Sequence, residues 1–101
     1  MFGRSRFAKV IDSQIDLFVR EHRDVIEEAG QRLELYNQSD RSDSEELYGD
    51  YLDAVETGTE ILADMRDHYG ATLDDADDYV AAFNRAVAKR LPEFALEIEN
   101  R

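Results

Sequence analysis

The sequence predicts an all-α fold, an antiparallel three-helix bundle with a short fourth helix after Pro92. Three observations carry that prediction. Apolar residues recur every three or four positions over three long stretches. No stretch alternates with the period of two that a strand requires. Turn-forming residues gather in two places only, near residues 37–44 and 70–75. At 101 residues and 43% apolar, the chain suits one domain spanning 1–101 with a core of its own.

The first stripe runs Phe7, Ile11, Ile15, Phe18, His22, Val25/Ile26, Ala29, Leu33, Tyr36, and predicts one helix over about 4–38. Its mean step is near 3.6 with no strict heptad, which fits a nearly straight bundle helix. Gly30 lies inside the stripe at a cost of about 1 kcal/mol relative to Ala, and so marks a close helix crossing or a kink. The segment 37–44 has no apolar residue and forms the first loop. Ser42 and Glu45 stand at capping-box spacing and predict that a second helix starts near Asp43.

The stripe of that second helix is Leu47/Tyr48, Tyr51, Val55, Gly58, Leu62, Met65, Tyr69, and Gly70 is placed to end it in the left-handed conformation. Ala54 and Gly58, four apart, form a shallow stretch where another helix can come close. Thr72 and Asp75 repeat the capping spacing, and Asp74, Asp75, Asp77 and Asp78 fill the first turns of a third helix, where negative charge suits the helix dipole. The last stripe is Ala76, Tyr79/Val80, Phe83, Ala86/Val87, Leu91, Phe94, Ile98. Pro92 lacks an amide and disfavours helical geometry at Leu91, so a break and a short final helix are expected there.

Short loops make consecutive helices antiparallel neighbours. Folding about residue 41 pairs positions whose numbers sum to roughly 82, so Val25 faces Gly58 and His22 falls level with Glu60. The third helix with its extension is expected to run back along the whole of the second. The first ten residues then project beyond the body as an arm by about 15 Å.

The net charge is -12, and it is unevenly placed. Residues 39–78 carry -12 by themselves, while residues 1–10 carry +3. Overall acidity repels phosphate backbones, so nucleic acid is not an expected partner. There is no apolar run long enough for a membrane span and no apolar leader, and a cytoplasmic protein is expected. With no cysteine, disulfide frameworks, thiolate nucleophiles and the usual zinc sites are excluded.

The arm combines Phe2, Arg4, Arg6, Phe7, Lys9 and Val10, apolar and basic together, and is the expected partner-binding element. Docked on the acidic middle of another copy, it would build a homodimer. Self-association is also expected because three helices bury five Tyr and five Phe with difficulty, and because Leu17, Val19, Leu35, Leu52, Ile61 and Leu96 widen the stripes.

Chemistry is sparse by comparison. The serines occupy loop and cap positions, and no nucleophile elbow or phosphate-binding glycine loop is present. No catalytic residue and no cofactor are expected. The resulting expectation is a non-catalytic helical interaction or adaptor protein that self-associates, with a possible further protein partner. Two alternatives come from other classes. One is a metal- or small-molecule-binding bundle using His22, Glu60, Asp64 and His68, although neither His follows a Glu by three positions as di-metal bundles require. The other is an acidic mimic that binds a basic partner protein through segment 39–78.

Overall fold

The computed structural model describes residues 6–101. Among them are five α-helices and no strand: α1 (Ala8–Glu21), α2 (Arg23–Asn37), α3 (Ser44–Gly70), α4 (Ala76–Arg90) and α5 (Ala95–Glu99), with a 3-10 turn at Pro92–Phe94 before α5. The all-α antiparallel bundle with its short last helix is therefore as the periodicity predicts.

The expected first helix is two helices. It breaks at His22, whose φ of -126° and ψ of 35° leave the helical region. The His22 amide donates to the Phe18 carbonyl at 2.8 Å and closes α1, while its own carbonyl accepts from Val25 at 3.0 Å and opens α2. Tertiary packing supplies the reason. Helix α2 lies along α3, whereas α1 leans toward α4, with Phe18 edge-on to Phe94 and Phe7 edge-on to Tyr79. One straight rod cannot follow both partners. Gly30 is neither crossing nor kink, since nothing lies within 4 Å of where its Cβ would be.

The hairpin register is as expected. A Cβ on Gly58 would meet Val25 Cγ1 at 3.2 Å, and Arg32 Nη1 donates to the Asp50 carbonyl at 2.8 Å. The turn chemistry differs. Ser42 and Glu45 form no capping box, and the N-cap of α3, Asp43, makes no side-chain cap. Asp40 organises this loop instead: its Oδ1 accepts from the Ser42 hydroxyl at 2.7 Å, the Ser42 amide at 3.1 Å and the Asp43 amide at 3.2 Å. An Asx turn competes with a cap for the same donors, and here it wins. These bonds, the Ser42 hydroxyl first, hold the Asp40 carboxyl below its usual pKa.

Gly70 does not end α3 in a left-handed turn. The helix passes through it to Ala71 at φ -63°, and Gly70 is buried with Tyr79 Cδ2 3.6 Å from where a Cβ would stand. Thr72 does not cap α4 either, because its hydroxyl donates back to the Tyr69 carbonyl at 2.7 Å. Asp74 and Asp75 precede α4, and only Asp77 and Asp78 lie in its first turn.

The core is built from Phe7, Ile11, Ile15 and Phe18 of the α1 region, Val55 and Leu62 of α3, Tyr79, Phe83 and Val87 of α4, and Phe94 and Ile98 beyond the proline. Arg66 is buried among them at 2% exposure. Its Nη1 donates to Asn84 Oδ1 at 3.0 Å and to the Ile98 carbonyl at 3.2 Å, and its Nε pairs with Asp67 at 2.7 Å. One guanidinium thus ties α3, α4 and α5 together, and its fork geometry fits it for several acceptors at once.

The carboxy-terminal segment does not run back along the whole of α3. After Pro92 it turns, and Phe94 packs on Gly58 while the Ile98 carbonyl returns to Arg66. The third layer therefore covers one half of the α2–α3 hairpin. The molecule measures 50 × 24 × 20 Å, with the other half of the hairpin at one end.

Candidate interaction surface

One stripe of α3 is divided by this arrangement. Positions Tyr48, Leu52, Val55, Thr59, Leu62/Ala63, Arg66 and Gly70 follow one another at helical spacing. From Val55 onward they are buried beneath α4, the 3-10 turn and α5. Beyond that point burial stops. No residue between Ala29 and Ala54 is buried, although the stretch contains Leu33, Leu35, Tyr36, Leu47, Tyr48, Tyr51 and Leu52.

The aromatic residues form a row across the two helices. Tyr36 of α2 lies 5.0 Å from Tyr48 of α3 between ring centroids, and Tyr48 lies 6.1 Å from Tyr51. Tyr48 is 43% exposed, Leu52 40% and Leu35 54%. Partial burial, with Glu93 of the 3-10 turn contributing, raises the Tyr51 phenol above its usual pKa. The rim is acidic: Asp40, Asp43, Glu45, Glu46 and Asp53 are all exposed. Arg32 is engaged within the hairpin by Asp50 and by an ion pair with Glu28 one turn earlier. The arrangement is an amphipathic surface two helices wide, apolar and aromatic along its middle and charged at its edge.

Of the expected amino-terminal arm, the described residues 6–10 take a different place. Phe2 and Arg4 lie outside the described residues. From residue 6 onward the chain does not project. Phe7 is 9% exposed and stands edge-on to Tyr79 at 5.3 Å. Arg6 pairs with Asp75, approaches Asp78 at 3.8 Å, and places its guanidinium 4.7 Å over the Phe7 ring. Val10 is half-buried against the core, while Arg6 and Lys9 are exposed. Two of the acids in the segment expected to receive the arm of another copy, Asp75 and Asp78, lie against Arg6 of the same chain. The 70–75 loop sits level with the start of α1, because α4 returns beside α1, and that supplies the cover which the projecting-arm expectation lacked.

The four residues of the metal alternative are not gathered. His22 occupies the α1–α2 break with its ring 5.5 Å from Phe18. Asp64 and His68 line a shallow groove between α1 and α3 with Gln14, Leu17 and Met65, and Glu60 is exposed on α3. Among the described residues no group of three or more His, Asp or Glu side chains could hold a metal ion.

Sequence reasoning counted the hairpin tyrosines and Leu35 and Leu52 as apolar surplus, but it did not bring Tyr36, Tyr48 and Tyr51 into one row. The missing information was where the third layer stops. Tyr79, counted in the same surplus, is fully buried between Phe7, Tyr69 and Phe83.

Among the described residues no helix is long and apolar enough to cross a membrane. Comparison with protein-family models, with curated proteins and with solved structures gave no match for this chain.

Proposed function

We propose that this chain is a non-catalytic helical interaction protein that self-associates through the half of its hairpin that its own third layer leaves uncovered. The observation that carries this is the interrupted α3 stripe. The same face that buries Leu62 and Arg66 under α4 and α5 continues into Tyr48 and Leu52, where no residue is buried. Contiguous exposed apolar surface with a polar rim is the usual mark of a protein contact. Tyrosine suits such a surface, since it offers a large apolar face and a polar tip at low conformational cost.

Self-association by this route replaces the arm as the expected contact, because Phe7 and Arg6 are engaged within their own chain. The test is native mass, measured by light scattering or sedimentation from low to high micromolar concentration. The expected result is twice the 11.6 kDa chain mass, returning to the monomer value in Tyr48→Asp/Leu52→Asp with an unchanged helical circular dichroism spectrum. A wild-type chain that stays at monomer mass across that range overturns the proposal.

A further inference from the structure

We infer that residues 92–101 form a latch, a segment seated on the body of α1 to α4 that opens as a unit without unfolding that body. The second half of the inference rests on the self-association proposed above: an open latch lengthens the face through which copies meet.

The segment is built to detach. Leu91 leaves the helical region at φ -135° and ψ 68°, and the Pro92 that follows has no amide with which to continue α4. Beyond it lie one 3-10 turn and the five residues of α5, far fewer than the roughly 12–15 at which an isolated helix becomes even marginally stable. Its shape therefore comes from its seat. Phe94 and Ile98, four residues apart, are fully buried there, while Leu96 on the outer side is 74% exposed. That is the anchor spacing of a short amphipathic helix laid in a groove.

The seat survives the loss of its occupant. Arg66 Nη1 donates to the Ile98 carbonyl at 3.2 Å, but also to Asn84 Oδ1 at 3.0 Å, and its Nε donates to Asp67 at 2.7 Å. Opening removes only the first of these bonds. The buried guanidinium keeps its partners on α3 and α4, which avoids the cost of an orphaned charge. The other polar tie, Arg101 to Glu56 at 3.5 Å, lies at the surface and holds weakly.

Opening also empties the cup at Gly58, which Phe94 fills so closely that an added Cβ would stand 2.5 Å from its ring. Gly58 shares its side of α3 with Val55 and Leu62, three and four residues away, and Val55 follows Leu52 at the same step. The exposed stripe that stops at Leu52 then continues to Gly58, about 9 Å further at 1.5 Å per residue. The helical bonds of α3 itself stay closed. Glu93, at the start of the segment, already acts on Tyr51, so the latch borders the uncovered face directly.

The chain has no cysteine, so a single thiol reports the opening. In the full chain, Ile98→Cys is treated with a chromogenic thiol reagent, and its opening constant is compared with the global unfolding constant of the same variant from chemical denaturation. The labelling constant is expected to exceed the global one by on the order of 100-fold, whereas Ile15→Cys, buried in α1, should match its own global constant. An Ile98→Cys thiol protected to its global value overturns the latch. Hydrogen exchange on the unmodified chain decides the same point without a substitution. The amides of Phe94, Ile98 and Glu99 should share one opening constant above that of α4 amides 83–87; values that differ among the three, or equal those of α4, overturn it. Ile98→Ala, which loosens the seat, should lower the dimer dissociation constant on the order of tenfold in sedimentation equilibrium. An unchanged or raised constant in that variant overturns the link to association and leaves the latch standing. A monomer at every concentration in both chains overturns the link together with the self-association on which it rests, while thiol labelling and hydrogen exchange still decide the latch.

Discussion

Gly58 shows at a single position how packing overrides helix propensity. A Cβ added there would stand 2.5 Å from Phe94 Cε1 and 2.9 Å from Phe94 Cζ, with Val25 Cγ1 at 3.2 Å. Phe94 is fully buried, so its ring has little room to move. Gly58→Ala should therefore destabilise by about 1–3 kcal/mol, despite the helix-propensity gain of about 1 kcal/mol. Gly30→Ala, with open space around it, should instead stabilise by roughly 0.5–1 kcal/mol. Chemical denaturation of the two variants checks both signs. Tyr79 supplies the pH dependence. Burial, with Tyr69 adding, pushes its phenol up to about 12, and its hydroxyl donates to Gln14 Oε1. In the unfolded chain a tyrosine ionises near 10. The protonated form is thus favoured by folding, and its contribution is complete below pH 10 and lost as pH rises from 10 to 12. The loss amounts to about 3 kcal/mol. Thermal melts between pH 9 and 12 should show it, and Tyr79→Phe should flatten the fall.

Among the elements, the helices were legible in the sequence and the way they are joined was not. Pro92 stopped α4 as its missing amide requires, and the step of three and four located α3 within a residue or so. The break at His22 had no local signal, because neither Gly nor Pro is present and the apolar stripe passes straight through it. Only the divergence of α1 toward α4 and α2 toward α3 demands it. The loops were misjudged for a related reason: Ser42 and Thr72 each satisfy a local acceptor, Asp40 and the Tyr69 carbonyl, rather than a helix amide, and single residues do not reveal which bond wins. The carboxy-terminal element depends on Arg66. Arg66→Ala would orphan Asn84 Oδ1, leave the Ile98 carbonyl with only its bond from the Arg101 amide, and open a cavity, at a cost of about 2–4 kcal/mol. Arg66→Lys keeps the charge but cannot make the fork, and should recover less than half of that stability. Limited proteolysis should then cut first in the segment after Pro92, as α5 loses its anchor.

For the whole molecule, the candidate surface was half legible. Counting aromatic residues against three helices showed a surplus, and among the described residues its exposed members are Leu35, Tyr48 and Leu52 on the hairpin and Leu17 and Leu96 elsewhere. The charge distribution pointed to the arm because Arg6 had no visible partner in the sequence; folding gives it Asp75. This changes the expected response to salt. An arm of charge +3 on an acidic partner weakens as salt rises, whereas two chains of charge -12 meeting through an aromatic stripe associate more tightly once their repulsion is screened. Raising sodium chloride from 0.1 to 1 M should strengthen dimerisation on the order of tenfold, read from sedimentation equilibrium. Weakening over that range would favour a contact made by the basic end.

The interrupted α3 stripe also divides the chain into two regions of unequal permanence. The covered half shares the global unfolding free energy, since its amides open only when the core does. The uncovered half has few buried contacts and sits at the low end of local stability. Its backbone amides, residues 30–53, open by fluctuations confined to the hairpin end, while those of α3 beyond Val55 stay closed. Association would raise the first region toward the second, which makes the rigidity of the hairpin end a function of how much of the protein is present.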